Sequence, residues 1–243
     1  MTYLLLPAYN EEKNLPELIR RGLSANLIPL VVDDGSTDGT ARVAEALGAQ
    51  VIRHETNRGL AEALRTLFRE FLARAKEGDW AVTMDADGTM DPYEAPGMIQ
   101  AGKEHGADIV IASRFRGGGA RGLSPARRLF SWGARIYLSL MAPVPGVTDY
   151  TTGYRAYRAE FLRAYAERFP DFFETEAFAA ATELLLRART LGARVVEVPT
   201  TIRYDQKAGE SKMELWPTVR AYLELGLKAR RWTPHLGDSK TRS

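Results

Sequence analysis

The chain contains no cysteine, which excludes a disulfide framework and any thiolate metal site, so a bound metal must sit on oxygen or imidazole. That absence agrees with a reducing compartment, and a cytoplasmic protein is the expectation. Histidine is scarce: His54, His105 and His235 have no spacing that brings them onto one ion, and they are read as surface or packing residues. No long apolar run occurs either. The least polar stretch, 138–147, holds two prolines and falls far short of the ~20 residues that span a bilayer. The N-terminus enters Tyr3-Leu4-Leu5-Leu6 without a basic region or a small-residue cleavage site, so no signal peptide is expected. A Gly-x-Gly-x-x-Gly fingerprint is missing after the first apolar run, where Pro7-Ala8-Tyr9-Asn10-Glu11-Glu12 stands instead; this argues against a nicotinamide dehydrogenase. Finally, 109–147 lacks any Asp or Glu while holding Arg114, Arg116, Arg121, Arg127, Arg128 and Arg135, in a chain whose net charge is only +2.

What is present is ordinary globular material: 243 residues, 45% hydrophobic and 26% charged, enough for a sizeable core. Apolar segments are evenly spread without a polar linker, so one domain over 1–212 is expected, followed by a C-terminal amphipathic helix and basic tail over 213–243. Short apolar runs at about 2–7, 28–33, 50–54, 79–84, 107–113 and 194–203 read as strands. Between them the spacing predicts helices near 11–23, 38–48, 58–77, 92–105, 125–141 and 174–191, then a last one near 213–232. Alternation of this kind defines an α/β fold with a mainly parallel sheet and helices on both faces. Ligands of such sheets bind where strands end and helices begin.

The chemistry-bearing residues follow strand ends. In Val31-Val32-Asp33-Asp34-Gly35-Ser36-Thr37-Asp38-Gly39-Thr40 two carboxylates stand where an apolar strand runs out. Asp34 is expected to accept hydrogen bonds from a base or ribose; the alternative is that both acids cap a turn. In Trp80-Ala81-Val82-Thr83-Met84-Asp85-Ala86-Asp87-Gly88 a strand ends in two carboxylates one residue apart. Hard divalent cations prefer oxygen, and Mg²⁺ is commonly held by one or two carboxylates with substrate phosphates. Asp85 and Asp87 suit that task, with a plain turn as the alternative.

Taken together, Pro7 to Glu12, Val31 to Thr40, Asn57-Arg58-Gly59-Leu60 and Asp85-Ala86-Asp87-Gly88 resemble glycosyltransferase family 2, whose fold is GT-A, a Rossmann-like single domain. The resemblance implies that Pro7, Tyr9, Glu11, Val32 and Asp34 contact the nucleoside, and that Asp85, Ala86 and Asp87 hold the diphosphate and a Mg²⁺ or Mn²⁺ ion. Later motifs, namely Ala112-Ser113-Arg114-Phe115, the arginine-rich stretch to Ser131, Asp149-Tyr150-Thr151-Thr152-Gly153-Tyr154-Arg155-Ala156, Glu197-Val198-Pro199 and Gly209-Glu210-Ser211-Lys212, resemble the polyprenyl-phosphate branch, the dolichol-phosphate mannosyltransferase-like enzymes. That branch implies an inverting transfer of mannose or glucose from GDP-mannose or UDP-glucose to a polyprenyl phosphate. Arg114, Arg127 or Arg128, and Ser131 would then bind the acceptor phosphate, and Lys212 would approach the donor diphosphate. The chain departs from the pattern at Thr89, where the branch has Gln, and at Gln206, where it has Arg. Thr89 still offers one oxygen as a third metal-site ligand, and Lys207 is a replacement cation for Gln206.

Elementary chemistry points the same way. Two anionic substrates repel, so an acid-free arginine stretch facing a neutralised diphosphate is what their meeting requires. A phosphate acceptor is already ionised near pH 7, so it needs no general base. Asp87 and Arg114 would carry the catalysis, with Asp149 as an acceptor-orienting carboxylate. Gly117-Gly118-Gly119 reads as a mobile loop able to close over substrate, and Glu174 and Glu176 could face the site or simply begin a helix. The last helix, with Trp216, Tyr222, Trp232 and Lys228-Arg230-Arg231, could lie peripherally in lipid headgroups; the alternative is packing on the domain or on a second copy in a homodimer. No nucleic-acid partner is expected. Rival activities are transfer to a soluble hydroxyl, for which Asp149 would be the base, and a degenerate protein that holds a sugar nucleotide without turnover.

Overall fold

The computed structural model describes residues 1–175, 179–206 and 215–232. A seven-stranded sheet runs in the order β3-β2-β1-β4-β7-β5-β8, built from β1 (Thr2–Ala8), β2 (Ile28–Asp33), β3 (Gln50–Arg53), β4 (Trp80–Thr83), β5 (Ile109–Ser113), β7 (Arg155–Arg158) and β8 (Val195–Pro199). A second sheet pairs the short β6 (Gly119–Arg121) with β9 (Thr201–Arg203). Eight helices are found among the described residues: α1 (Leu15–Ser24), α2 (Thr40–Ala46), α3 (Leu60–Arg74), α4 (Ala95–Glu104), α5 (Pro125–Met141), α6 (Ala159–Arg168), α7 (Ala179–Thr190) and α8 (Leu215–Ala229).

Every pairing in the main sheet is parallel except those of β7, which runs antiparallel to β4 and β5. The central strands are buried on both faces, as sandwiched parallel strands must be. Period-two alternation splits them between two cores: Tyr3, Leu5, Leu30, Val32, Ala81, Ile109 and Ile111 point to one, and Leu4, Leu6, Val31, Val82, Val110 and Ala112 to the other. Helices α3, α6, α7 and α8 cover the first, and α1, α2 and α4 the second.

The chain proceeds from β1 outward through β2 to β3, then returns to place β4 on the opposite side of β1. This reversal opens a crevice between the carboxyl ends of β1 and β4. Pairing of β1 with β4 ends at Leu5↔Thr83, while β1 stays paired with β2 as far as Ala8↔Asp33. Pro7 stands beyond the last β4 pair, so its missing N–H removes nothing from that ladder.

Most expected elements appear, with three differences. The strand expected over 194–203 is broken at Thr200 into β8 and β9, and β9 leaves the main sheet. The segment 155–168, which the spacing left unassigned, forms β7 and α6. Arg155 hid this strand: a guanidinium suggests solvent, yet the residue is fully buried and donates to the carbonyls of Tyr150 and Ala181. The helix expected over 174–191 begins, as described, at Ala179. The final helix is no appendage, because Tyr222, Leu225 and Ala229 of α8 join the first core.

Candidate active site

The crevice opens into a cleft that reaches from Pro7 to Tyr222. Asp85 and Asp87, on the loop that leaves β4, line it together with Arg114, Arg127 and Ser131. The acidic loop is fixed at several points. The Met84 amide donates to the Leu5 carbonyl (3.2 Å), and the Arg203 amide of β9 donates to the Thr89 carbonyl (2.8 Å). Gly88 sits at φ 76°, a conformation that side chains disfavour. Thr89 is buried, and both its amide (3.1 Å) and its hydroxyl (2.7 Å) donate to Asp87 Oδ1. Thr89, expected as a third metal ligand, therefore aims a carboxylate of the pair. Among the described residues no group of three His, Cys, Asp or Glu gathers around one point. Two carboxylates in an oxygen-lined cleft fit Mg²⁺ or Mn²⁺ only if substrate phosphate and water complete the shell, as is usual for magnesium.

The basic wall is built from buried acids. Arg114 leaves the end of β5, and its Nε and Nη2 donate to Asp149 Oδ2 (2.8 Å) and Oδ1 (2.7 Å) in a bidentate pair. Its backbone amide reaches Asp149 Oδ2 as well (3.0 Å), and Nη2 donates to Thr151 Oγ1 (2.6 Å). Asp149 is fully buried. Burial alone would raise its pKa, but the hydrogen bonds and charge of Arg114 outweigh burial and hold it below the usual carboxylate range. Burial likewise opposes the charge on Arg114, and Asp149 and Tyr204 more than restore it. Asp149 is thus a positioning residue that acts through Arg114 and is placed away from direct contact with the reacting atoms. Glu197 of β8 stands behind it, accepting from the amides of Thr148 and Asp149 (2.7 Å each) and from the Thr148 hydroxyl (2.6 Å). Motif order had given Glu197 no task.

Helix α5 starts at Ser124, whose hydroxyl accepts from the Arg127 amide (3.4 Å), with Pro125 at the first turn. Arg127 and Ser131, four residues apart, share the face that looks into the cleft. Arg128 is exposed and lines an adjoining cavity, where Arg114 and Ser131 are also found.

On the nucleoside side Pro7 lines the cleft. Tyr9 and Glu11 lie half-buried on the following loop, which is laced to the 33–40 turn: the amides of Asn10 and Glu11 donate to Ser36 Oγ and Thr40 Oγ1 (2.9 Å each). Three residues expected to contact the donor are buried. Val32 is fully buried in the first core and Ala86 packs in the second, so neither side chain reaches a ligand. Asp34 is buried, and its oxygens accept from His54 Nδ1 (2.6 Å) and from the amides of Arg58 (3.0 Å) and Gly59 (2.8 Å). Its carboxylate thereby holds the 54–59 loop and places a negative charge at the N-terminus of α3. His54, read as a surface or packing residue, is buried and also bonds Thr66 Oγ1 (3.0 Å). Gly35 is required here, because a Cβ on it would lie 2.4 Å from the Thr56 carbonyl carbon.

Other expectations resolve plainly. The Gly117–Gly119 run presses against β9: a Cβ on Gly118 would stand 1.9 Å from the Thr200 oxygen, and the Gly119 amide donates to that oxygen (2.8 Å). This corrects the mobile-loop reading. Glu174 pairs with Arg187 (2.8 Å) away from the cleft. Lys212, Lys207, Glu176 and His235 lie outside the described residues. Sequence reasoning missed Tyr204, half-buried just past β9 against Arg114, with Thr151 and Thr152 lining the same cleft. The one available signal for Tyr204 was an aromatic closing a strand.

A switch-point crevice lined by a paired-carboxylate loop and by arginines fits a glycosyltransferase of the GT-A fold. The chain belongs to glycosyltransferase family 2, whose model, described as glycosyl transferase family 2, matches residues 3–166. It is 37% identical over 219 residues to undecaprenyl-phosphate mannosyltransferase of Micrococcus luteus, covering 86% of each chain. It is 36% identical to polyprenol monophosphomannose synthase of Mycolicibacterium smegmatis, covering 87% of this chain and 80% of that one. Dolichol-phosphate mannosyltransferase of Pyrococcus furiosus is 32% identical, over 94% of this chain and 63% of that one. In fold it is similar to glucosyl-3-phosphoglycerate synthase from Mycobacterium tuberculosis, solved with Mn²⁺, UDP and phosphoglyceric acid: TM-score 0.69, 21% identity, 98% of this chain and 80% of that one.

Proposed function

We propose that the chain transfers a hexose, with mannose favoured, from a nucleoside-diphosphate donor such as GDP-mannose or UDP-glucose to a polyprenyl phosphate at a membrane surface. One observation carries this reading: Asp85 and Asp87 line a single cleft together with Arg114, Arg127 and Ser131. The names of the three relatives support both the sugar and the lipid phosphate.

The carboxylates of Asp85 and Asp87 would hold Mg²⁺ or Mn²⁺ together with the donor diphosphate. When bound, the ion neutralises the diphosphate and stabilises it as a leaving group. Pro7 and the Tyr9–Glu11 loop border the donor end of the cleft. Arg114, locked in orientation by Asp149, and Arg127 with Ser131 hold the acceptor phosphate against its own repulsion from the donor. The acceptor oxygen is already anionic, so no residue has to remove a proton. Transfer to a soluble hydroxyl would need a base, and the candidate Asp149 is buried and ion-paired, which favours the phosphate acceptor.

Calorimetric titration with GDP, UDP and their sugar conjugates, with Mn²⁺ or with EDTA, tests the donor side. Transfer of labelled sugar to polyprenyl phosphate tests the acceptor side. Metal-dependent binding of one nucleotide without any transfer would move the reading to the degenerate binding protein.

A further inference from the structure

Thr200 is the residue at which β8 ends and β9 departs, and it is buried. A strand break inside a protein leaves polar groups that need partners, and the partners found here all bear on the cleft. The Thr200 amide donates to the carbonyl of Ser113 (3.0 Å), the residue before Arg114, and its carbonyl accepts from the Gly119 amide (2.8 Å). Its hydroxyl donates to Glu94 Oε2 (2.6 Å). Glu94 immediately precedes α4, at the end of the segment that carries Asp85 and Asp87. One residue thus ties the strand that delivers Arg114 to the segment that delivers the carboxylate pair.

The chain after Thr200 continues the tie. The Arg203 amide donates to the Thr89 carbonyl (2.8 Å), and Thr89 aims Asp87. Ile202 of β9 and Tyr204 just past it line the cleft with Asp85, Asp87 and Arg114. The junction has no slack. A Cβ on Gly118 would stand 1.9 Å from the Thr200 carbonyl oxygen and 2.5 Å from that of Ser113, and packing this close passes a displacement on instead of absorbing it. The Glu94 end is also firm. Burial raises the Glu94 carboxyl above its ordinary value even with the Thr200 hydroxyl donating to it, so that hydroxyl serves a carboxylate that solvent serves poorly.

We propose that Thr200 is a positioning residue: through its hydroxyl bond to Glu94 and its amide bond to Ser113 it fixes the separation between the Asp85–Asp87 pair and Arg114. This rests on the reading of the cleft as the place where a donor diphosphate and an acceptor phosphate meet. Thr200 lines no part of the cleft, so each ligand keeps its own contacts when the hydroxyl is lost. What changes is the alignment of one ligand with the other, and a misplacement of ~1 Å between reacting groups costs on the order of 100-fold in rate.

Thr200→Val tests this directly, because it keeps the volume and both backbone bonds and removes only the link to Glu94. Transfer to polyprenyl phosphate should lose about tenfold in kcat, while the KM of either substrate and the calorimetric affinity for nucleotide with Mn²⁺ stay within about twofold. Thr200→Ser, which keeps the hydroxyl, should restore kcat. Glu94→Ala should lower kcat as Thr200→Val does, and the double variant should fall no further. A second readout needs no turnover. The chain has no cysteine, so spin labels on cysteines introduced at exposed Gln100 of α4 and exposed Arg116 report the separation itself. Their distance distribution should be narrow with Thr200 or Ser and broad with Val. A Val variant with an unchanged distribution, or with wild-type kcat, overturns the proposal. So does a loss of kcat matched by an equal loss of nucleotide affinity, or one that Ser does not restore. If the distribution broadens as expected but the unaltered chain transfers no sugar, the tie stands and the transferase reading falls. Should Thr200→Val fail to fold, Glu94→Ala carries the same comparison from the other end of the bond.

Discussion

Asp149 holds Arg114 by three hydrogen bonds, two from the guanidinium and one from the backbone amide of the same residue. A carboxylate bound this way fixes both where the arginine starts and where its head points. Removing the charge while keeping the shape, in Asp149→Asn, leaves a buried guanidinium without its anion. The expected cost is about 3–5 kcal/mol of stability, read as a lowered urea midpoint, together with a raised KM for the acceptor. An unchanged midpoint with loss of turnover alone would return Asp149 to a chemical role.

The same pair sets a pH signature. The pKa of Asp149 is depressed in the folded chain, so its stabilising contribution is complete above the ordinary carboxylate value of about 4. It is lost as pH falls through the depressed value. Activity between pH 5 and 9 should therefore show no ionisation step that disappears in Asp149→Asn, and acid unfolding should shift upward in pH in that variant.

Asp87 owes its aim to Thr89. Thr89→Val removes the hydroxyl donor and leaves the volume, costing about 1 kcal/mol of orientation. A several-fold higher Mn²⁺ concentration should be needed for half-maximal nucleotide binding by calorimetry, with the fold intact. Asp87→Asn should abolish the metal dependence outright.

The sheet was legible because its strands are apolar runs ended by polar turns; Asp85, Asp87 and Arg114 stood out because they follow strand ends, and Arg127 and Ser131 because the stretch that holds them lacks any acid. Burial of polar groups was not. Arg155 inside β7, Glu197 behind Asp149, and Asp34 beneath the 54–59 loop are charged residues that a one-dimensional pattern assigns to solvent or ligand. Their partners lie 20 or more residues away in most cases, and only the folded chain brings them together. The sequence could propose that an acid stands near a site, but it could not say whether that acid faces the ligand or the protein.

His54 and Asp34 provide a direct check on that distinction. If Asp34 chiefly holds the 54–59 loop, Asp34→Ala and His54→Ala should each destabilise the fold by about 1–3 kcal/mol, and the double variant should cost less than their sum. A nucleoside ligand role predicts the opposite pattern, a stable Asp34→Ala protein with weakened nucleotide binding and no coupling to His54.

Arg127 and Arg128 are neighbours in sequence and separate in space. Arg127 shares the cleft with Asp85 and Asp87, whereas Arg128 is exposed in the adjoining cavity beside Phe115 and Leu123. A charge-assisted bond to phosphate contributes about 1.5–3 kcal/mol, so Arg127→Ala should cut kcat/KM for polyprenyl phosphate roughly ten- to hundredfold. Arg128→Ala, partly screened by solvent, should cost less and do so mainly through KM in a salt-dependent way. Measuring both variants against one acceptor at two ionic strengths separates the inner contact from the outer. If Arg128→Ala proved the more damaging at both ionic strengths, the acceptor phosphate would have to sit outside the carboxylate cleft.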